Sequence, residues 1–192
     1  MEYVITQLNV SIVMETLNER KHVHVSLRIP IEMRDELLEE GNRQRINFNS
    51  LGNRILERYL AFDRISEYDH SVVMEREVLS AILDRVATED LEKIGREFGP
   101  RLVKESFSFY GISPTLSNLV TKYFEPAGRY SGRYDFNVVG TASQPKLVLM
   151  HRHGEKWSSL LKEYTAGVIE SILGERPRVE ADGDIVAIEF RD

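Results

Sequence analysis

The chain has no cysteine, which excludes disulfide frameworks, thiolate zinc sites, iron–sulfur ligation and a cysteine nucleophile. Long apolar runs are missing as well. A stretch such as Leu147 to Met150 falls far short of the roughly 18 to 20 residues that a bilayer span needs, so no membrane partner is expected. The opening MEYVITQLNVSIVMETLNERK lacks a basic start, a clean apolar stretch and a small-residue cleavage site, and the expected location is cytoplasmic. There is no Gly-Lys-Ser/Thr phosphate loop, no Gly-x-Ser-x-Gly elbow and no His-Glu-x-x-His helix. The reading is therefore of a protein that is not an enzyme, with no catalytic residues and no cofactor.

What is present is a chain of 192 residues, 42% hydrophobic and 29% charged, enough for one ordinary domain or two small ones. Its formal net charge of -6 counts against a surface coated evenly for nucleic acid. The charge is unevenly spread. Between Arg20 and Arg58 eight basic residues stand against six acids, a local +2 that leaves -8 for the rest.

Residues 1–21 show no sustained period and are set apart as an N-terminal arm. From His22 the chain alternates, placing Val23, Val25, Leu27 and Ile29 on one face and His22, His24, Ser26 and Arg28 on the other, the pattern of a half-buried strand. Pro30 ends it and suits the first turn of a helix. That helix is expected from Ile31 to about Glu40, stopped by Gly41-Asn42. A second is capped by Asn47, with Phe48, Leu51, Ile55, Leu56, Tyr59 and Leu60 on one face and Gly52 offering close approach to another helix. The pattern fades between Arg64 and Ser71, taken as the domain boundary.

Strand, proline, short helix, glycine-containing turn and longer helix resemble the ribbon-helix-helix domain of the Arc and methionine repressors. The resemblance is carried by His24-Val25-Ser26-Leu27-Arg28-Ile29-Pro30, Gly41-Asn42 and Asn47-Phe48-Asn49-Ser50, within residues 22–66. It implies an intertwined homodimer, or a higher homo-oligomer, whose two strands enter the major groove of double-stranded DNA. It further implies that His24, Ser26 and Arg28 face base edges, with Arg28 suited to guanine. Phe48, Asn49 and Ser50 would offer a phosphate their free N–H groups. The implied function is a sequence-specific transcriptional regulator. Two alternatives stay open: an antitoxin whose C-terminal part binds a partner, and a small-molecule-binding domain that only dimerises through the strand.

Residues 72–192 read as a larger α+β domain for effector sensing or oligomerisation, with a helical part and a small antiparallel sheet. One helix carries Val78, Leu79, Ile82, Leu83 and Val86. A second is capped by Thr88 and closed by Gly99-Pro100, and a third opens at Ser113-Pro114 and ends at Pro126. Strands follow at 134–139 and 146–151, then a helix over 155–173 terminated by Gly174. A hairpin of 178–181 and 185–190 turns through Asp182-Gly183.

Three features of this part invite a ligand. His151 and His153 stand at a spacing able to hold a metal if other ligands converge, or else form a polar turn; nickel-responsive regulators of the resembled family use a cysteine ligand, which this chain lacks. Tyr134, Phe136 and Trp157 belong to an aromatic-rich stretch that either lines an effector pocket or fills the core. Arg129-Tyr130-Ser131-Gly132-Arg133 reads as a basic loop, solvated or meeting a phosphate or carboxylate.

Overall fold

A computed structural model describes residues 23–140 and 145–190. They form two compact units, one ending at Arg64 and the other beginning at Ile65.

The first unit holds helix α1 (Ile31–Gln44) and helix α2 (Phe48–Arg58), followed by a π-helical turn (Tyr59–Asp63). The expected stop at Gly41-Asn42 is displaced. Helix α1 continues to Gln44, and Arg45, rather than a glycine, takes the left-handed conformation (φ 56°, ψ 37°), so that Arg45 N–H bonds Asn42 O and Ile46 N–H bonds Gly41 O. Gly41 is required for proximity: a Cβ there would lie 2.9 Å from the Ile46 carbonyl oxygen. Helix α2 starts as expected, with Asn47 Oδ1 accepting from the Ser50 N–H at 2.8 Å. Gly52 has open space around it in the single chain.

The second unit is α+β, with its helices packed on a small antiparallel sheet. A short helix α3 (Arg64–Tyr68) spans the boundary, and α4 (Arg76–Leu83) and α5 (Thr88–Phe109) follow. Two departures from expectation occur in α5. Ala87 occupies the cap position ahead of Thr88, and the helix runs through Gly99-Pro100 for 22 residues. An internal proline forfeits a backbone hydrogen bond and crowds the preceding turn. Its ring is accommodated because helix α8 (Glu155–Leu173) presents Gly167, where a Cβ would sit 2.9 Å from Pro100 Cγ.

Pro126 likewise fails to end its helix. Helix α6 (Leu116–Leu119) is capped by Thr115 Oγ1, widens into a π-helical turn (Val120–Phe124) and continues as α7 (Glu125–Ser131). This places Pro126 in the first turn of α7, where a missing N–H does no harm.

Strands β1 (Asp135–Gly140), β2 (Pro145–Met150), β3 (Arg178–Asp182) and β4 (Ile185–Glu189) make an antiparallel sheet of order β1-β2-β4-β3. The register pairs Leu147 with Ile188 and Leu149 with Val186, so these four buried side chains share the inner face. Against that face lies α8, whose Val168 and Ile169 join Val103 and Phe107 of α5, Leu119 and Phe124 in one core. Gly174 ends α8 in the left-handed conformation, and Gly183 (φ 53°) turns the β3–β4 hairpin.

Candidate functional site

In the first unit, residues 23–30 run from the described start to α1 without a strand ladder. The expected half-buried strand is therefore corrected for a single chain: the four strands among the described residues all belong to the other unit's sheet, and a strand needs a neighbour to satisfy its backbone. The side chains stay out. Val23, Val25 and Leu27 are 84%, 68% and 73% exposed, alongside exposed His24, Ser26 and Arg28. His22 lies outside the described residues. On α2 and the π-helical turn after it, Ile55, Leu56, Tyr59 and Leu60 are exposed as well, and Leu51 is the one buried large hydrophobic among the described residues of this unit.

At the start of α2 the cap alters the expected phosphate cradle. Phe48 and Asn49 keep N–H groups without a helical partner, whereas the Ser50 N–H is taken by Asn47. Asn49 and Ser50 themselves are exposed.

In the second unit, the two candidate metal ligands have other roles. His151, which follows β2, has a fully buried side chain; its Nε2 lies 2.9 Å from Ser158 Oγ, and its Nδ1 lies 3.4 Å from Asp184 Oδ1 and accepts from the His153 N–H at 3.3 Å. Ser158 Oγ donates to Gly183 O at 2.5 Å, so the histidine proton sits on Nε2 and points at the serine oxygen. Asp184 Oδ1 also accepts from the Gly154 N–H at 3.0 Å. Burial pushes the His151 pKa below its ordinary value, with His153 acting the same way and Asp184 against. The second ring, His153, reaches Gly132 O through Nε2 at 3.0 Å. Among the described residues no group of three His, Asp or Glu side chains is placed to hold a metal ion.

Of the two alternatives for the aromatic candidates, the core is where they pack, Tyr134 buried and Phe136 and Trp157 against it. Tyr134 is 5% exposed and donates to Phe124 O at 3.3 Å; Phe136 stacks on Phe124 with ring centres 6.3 Å apart; Trp157 Nε1 donates to Arg133 O at 3.1 Å. An open cleft of about 510 Å³ lies elsewhere, lined by Leu116, Ile169, Leu173, Pro177 and Phe190. Arg176 at that cleft is committed to Glu163 and Glu170 at 2.7 and 2.8 Å.

Sequence reasoning missed a polar cluster inside this unit. The stretch read as a basic loop is helical through Ser131, turns at left-handed Gly132 and sends Arg133 inward. There it lies within electrostatic range of Tyr123, Tyr164, Tyr134 and Asp69. Burial opposes its charge, yet these neighbours raise its pKa. The two hydroxyls of Tyr123 and Tyr164 are 2.5 Å apart, and Ser106 Oγ donates to Asp69 at 2.8 Å. Burial raises the Asp69 pKa, against the pull of Ser106 and Arg133. The members come from five elements or their ends, and no short motif could have joined them.

No protein-family model matches the chain, and neither a curated protein nor a solved structure matches it significantly. No described helix is long and apolar enough to cross a membrane.

Proposed function

We propose that residues 23–64 of two chains pair into a ribbon-helix-helix dimer that reads double-stranded DNA, making the protein a sequence-specific transcriptional regulator. One observation carries the reading: a unit of this size leaves Val23, Val25 and Leu27 exposed in the segment before α1, and Ile55, Leu56, Tyr59 and Leu60 exposed on α2 and the π-helical turn after it. So much exposed apolar surface marks an interaction site. The alternation of the segment suits an antiparallel partner of the same sequence, which would cover Val25 and Leu27 and satisfy the backbone.

With the apolar face turned to the helices, His24, Ser26 and Arg28 form the outer face of the ribbon. Arg28 brings a two-pronged donor suited to the O6 and N7 acceptors of guanine, and the Phe48 and Asn49 N–H groups suit a flanking phosphate. The buried Ser158 is poorly placed as a nucleophile, since its proton goes to Gly183 O. The proposed role is non-catalytic, with the second unit serving sensing or assembly.

The test is fluorescence anisotropy with a DNA site selected from a random pool by the full chain. Arg28→Ala should weaken binding by about 30-fold or more, since a guanine contact is worth roughly 1 to 3 kcal/mol and occurs twice in a dimer. Undiminished affinity in a folded, dimeric variant would remove the groove-reading role and leave the segment as a dimer contact alone.

A further inference from the structure

The open cleft of about 510 Å³ in the second unit falls within the roughly 300 to 1,000 Å³ typical of small-molecule sites. Helix α8 ends at Gly174, and the chain then passes through Glu175, Arg176 and Pro177 into β3. Leu116 at the start of α6, Ile169 and Leu173 near the end of α8, Pro177 ahead of β3 and Phe190 after β4 give the cleft an apolar lining. Ile169 and Pro177 are buried, and Ile169 belongs to the core, so the cleft reaches down to it. An apolar molecule that enters removes this lining from water.

Charge specifies which apolar molecule. Two charged side chains lie on the lining, Glu175 and Arg176. Arg176 is engaged: its terminal nitrogens donate to Glu170 at 2.8 Å and to Glu163 at 2.7 Å. Glu163 also pairs with Arg96 at 3.1 Å, so two guanidinium groups meet two carboxylates, and Glu92 at 4.0 Å from Arg96 adds further negative charge. An anionic ligand would have to compete with the carboxylates that already hold Arg176. Glu175 is exposed, and among the described residues its carboxylate has no hydrogen-bond or ion-pair partner. The lining therefore carries one uncompensated negative charge, which favours a cation. We infer that this cleft binds a lipophilic monocation, an aryl or alkyl ammonium, with its apolar body against Leu116, Leu173 and Phe190 and its nitrogen at Glu175. The assignment rests on the sensing role proposed above for the second unit and names its ligand class; binding does not require DNA.

The experiment is equilibrium dialysis against the full chain, without DNA, of three probes that share one apolar body: phenylhexylamine, which is protonated at neutral pH, phenylhexanol and phenylhexanoate. The amine should bind saturably with a dissociation constant of about 100 μM or tighter. The alcohol should bind about threefold more weakly, as expected for loss of one exposed charge pair, and the carboxylate more weakly still. Glu175→Gln, an exposed substitution, should bring the amine down to the affinity of the alcohol and leave the alcohol unchanged. Leu116→Trp, checked for folding by circular dichroism, fills the cleft and should weaken amine and alcohol alike. The assignment is overturned by an amine that does not bind saturably, by an alcohol or carboxylate that binds as tightly as the amine, or by an amine affinity that Glu175→Gln leaves unmoved. Because no DNA is present, that failure is separate from failure of the Arg28 test.

Discussion

His151 is enclosed by Ser158, Asp184 and the backbone of His153, and its neutral form is the one that this enclosure accepts. Its folded pKa lies below the ordinary 6.5 because burial penalises the charge. On acidification the unfolded chain therefore takes up the proton first. The stability from this group is complete above about pH 6.5 and is lost as pH falls below that value toward the folded pKa. Thermal melting should drop across that interval in the native protein, and His151→Gln should flatten the slope there while lowering stability at neutral pH by about 1 to 3 kcal/mol. Parallel pH profiles for the two proteins would rule the titration out. Spacing alone had offered His151 and His153 as a ligand pair. What it could not show is that the first ring turns inward, a consequence of where α8 and the β3–β4 hairpin place Ser158 and Gly183.

Among the elements, the contact of α5 with α8 depends most on small residues. A Cβ at Gly95 would lie 2.5 Å from the Leu160 carbonyl oxygen and 2.9 Å from the Tyr164 nitrogen, and one at Gly99 would lie 2.9 Å from the Tyr164 ring. The two backbones approach through these positions, and Gly167 answers with room for Pro100. Gly95→Ala should destabilise the protein by about 2 kcal/mol, because forced overpacking outweighs the gain of about 1 kcal/mol in helix propensity. Chemical denaturation decides it: a variant as stable as the native chain would mean that the helices separate freely. Here local rules misread two prolines. Pro100 and Pro126 both look like helix ends, yet one is accommodated by a glycine more than sixty residues away and the other by a π-helical turn before it.

For the whole molecule the decisive quantity is how many chains form the unit. In the proposed dimer Leu27 lies on the covered face, so Leu27→Glu should shift the mass measured by light scattering from twice 22.2 kDa to that of one chain. DNA affinity should fall with it, while the near-ultraviolet dichroism of Trp157 in the second unit stays unchanged. A native protein that runs as a monomer at all concentrations would refute the dimer itself. The uneven charge belongs to this scale as well. Only a count by segment separates the locally basic stretch that includes residues 23–58 from the acidic remainder, and a dimer would bring two such stretches together.

Where the determining chemistry lies within a few residues, the sequence by itself was sufficient. Asn47 caps α2 because its own side chain reaches Ser50 N–H, Gly174 ends α8 because glycine tolerates the left-handed turn, and Asp182-Gly183 closes a hairpin between two short strands. The tertiary structure alone decided that α5 continues past Pro100, that His151 is sealed against Ser158, and that Arg133 lies within electrostatic range of Tyr123, Tyr164 and Asp69. Each of these depends on groups far apart in the chain, and the free energy of burial that selects them exists only once the helices and sheet have packed.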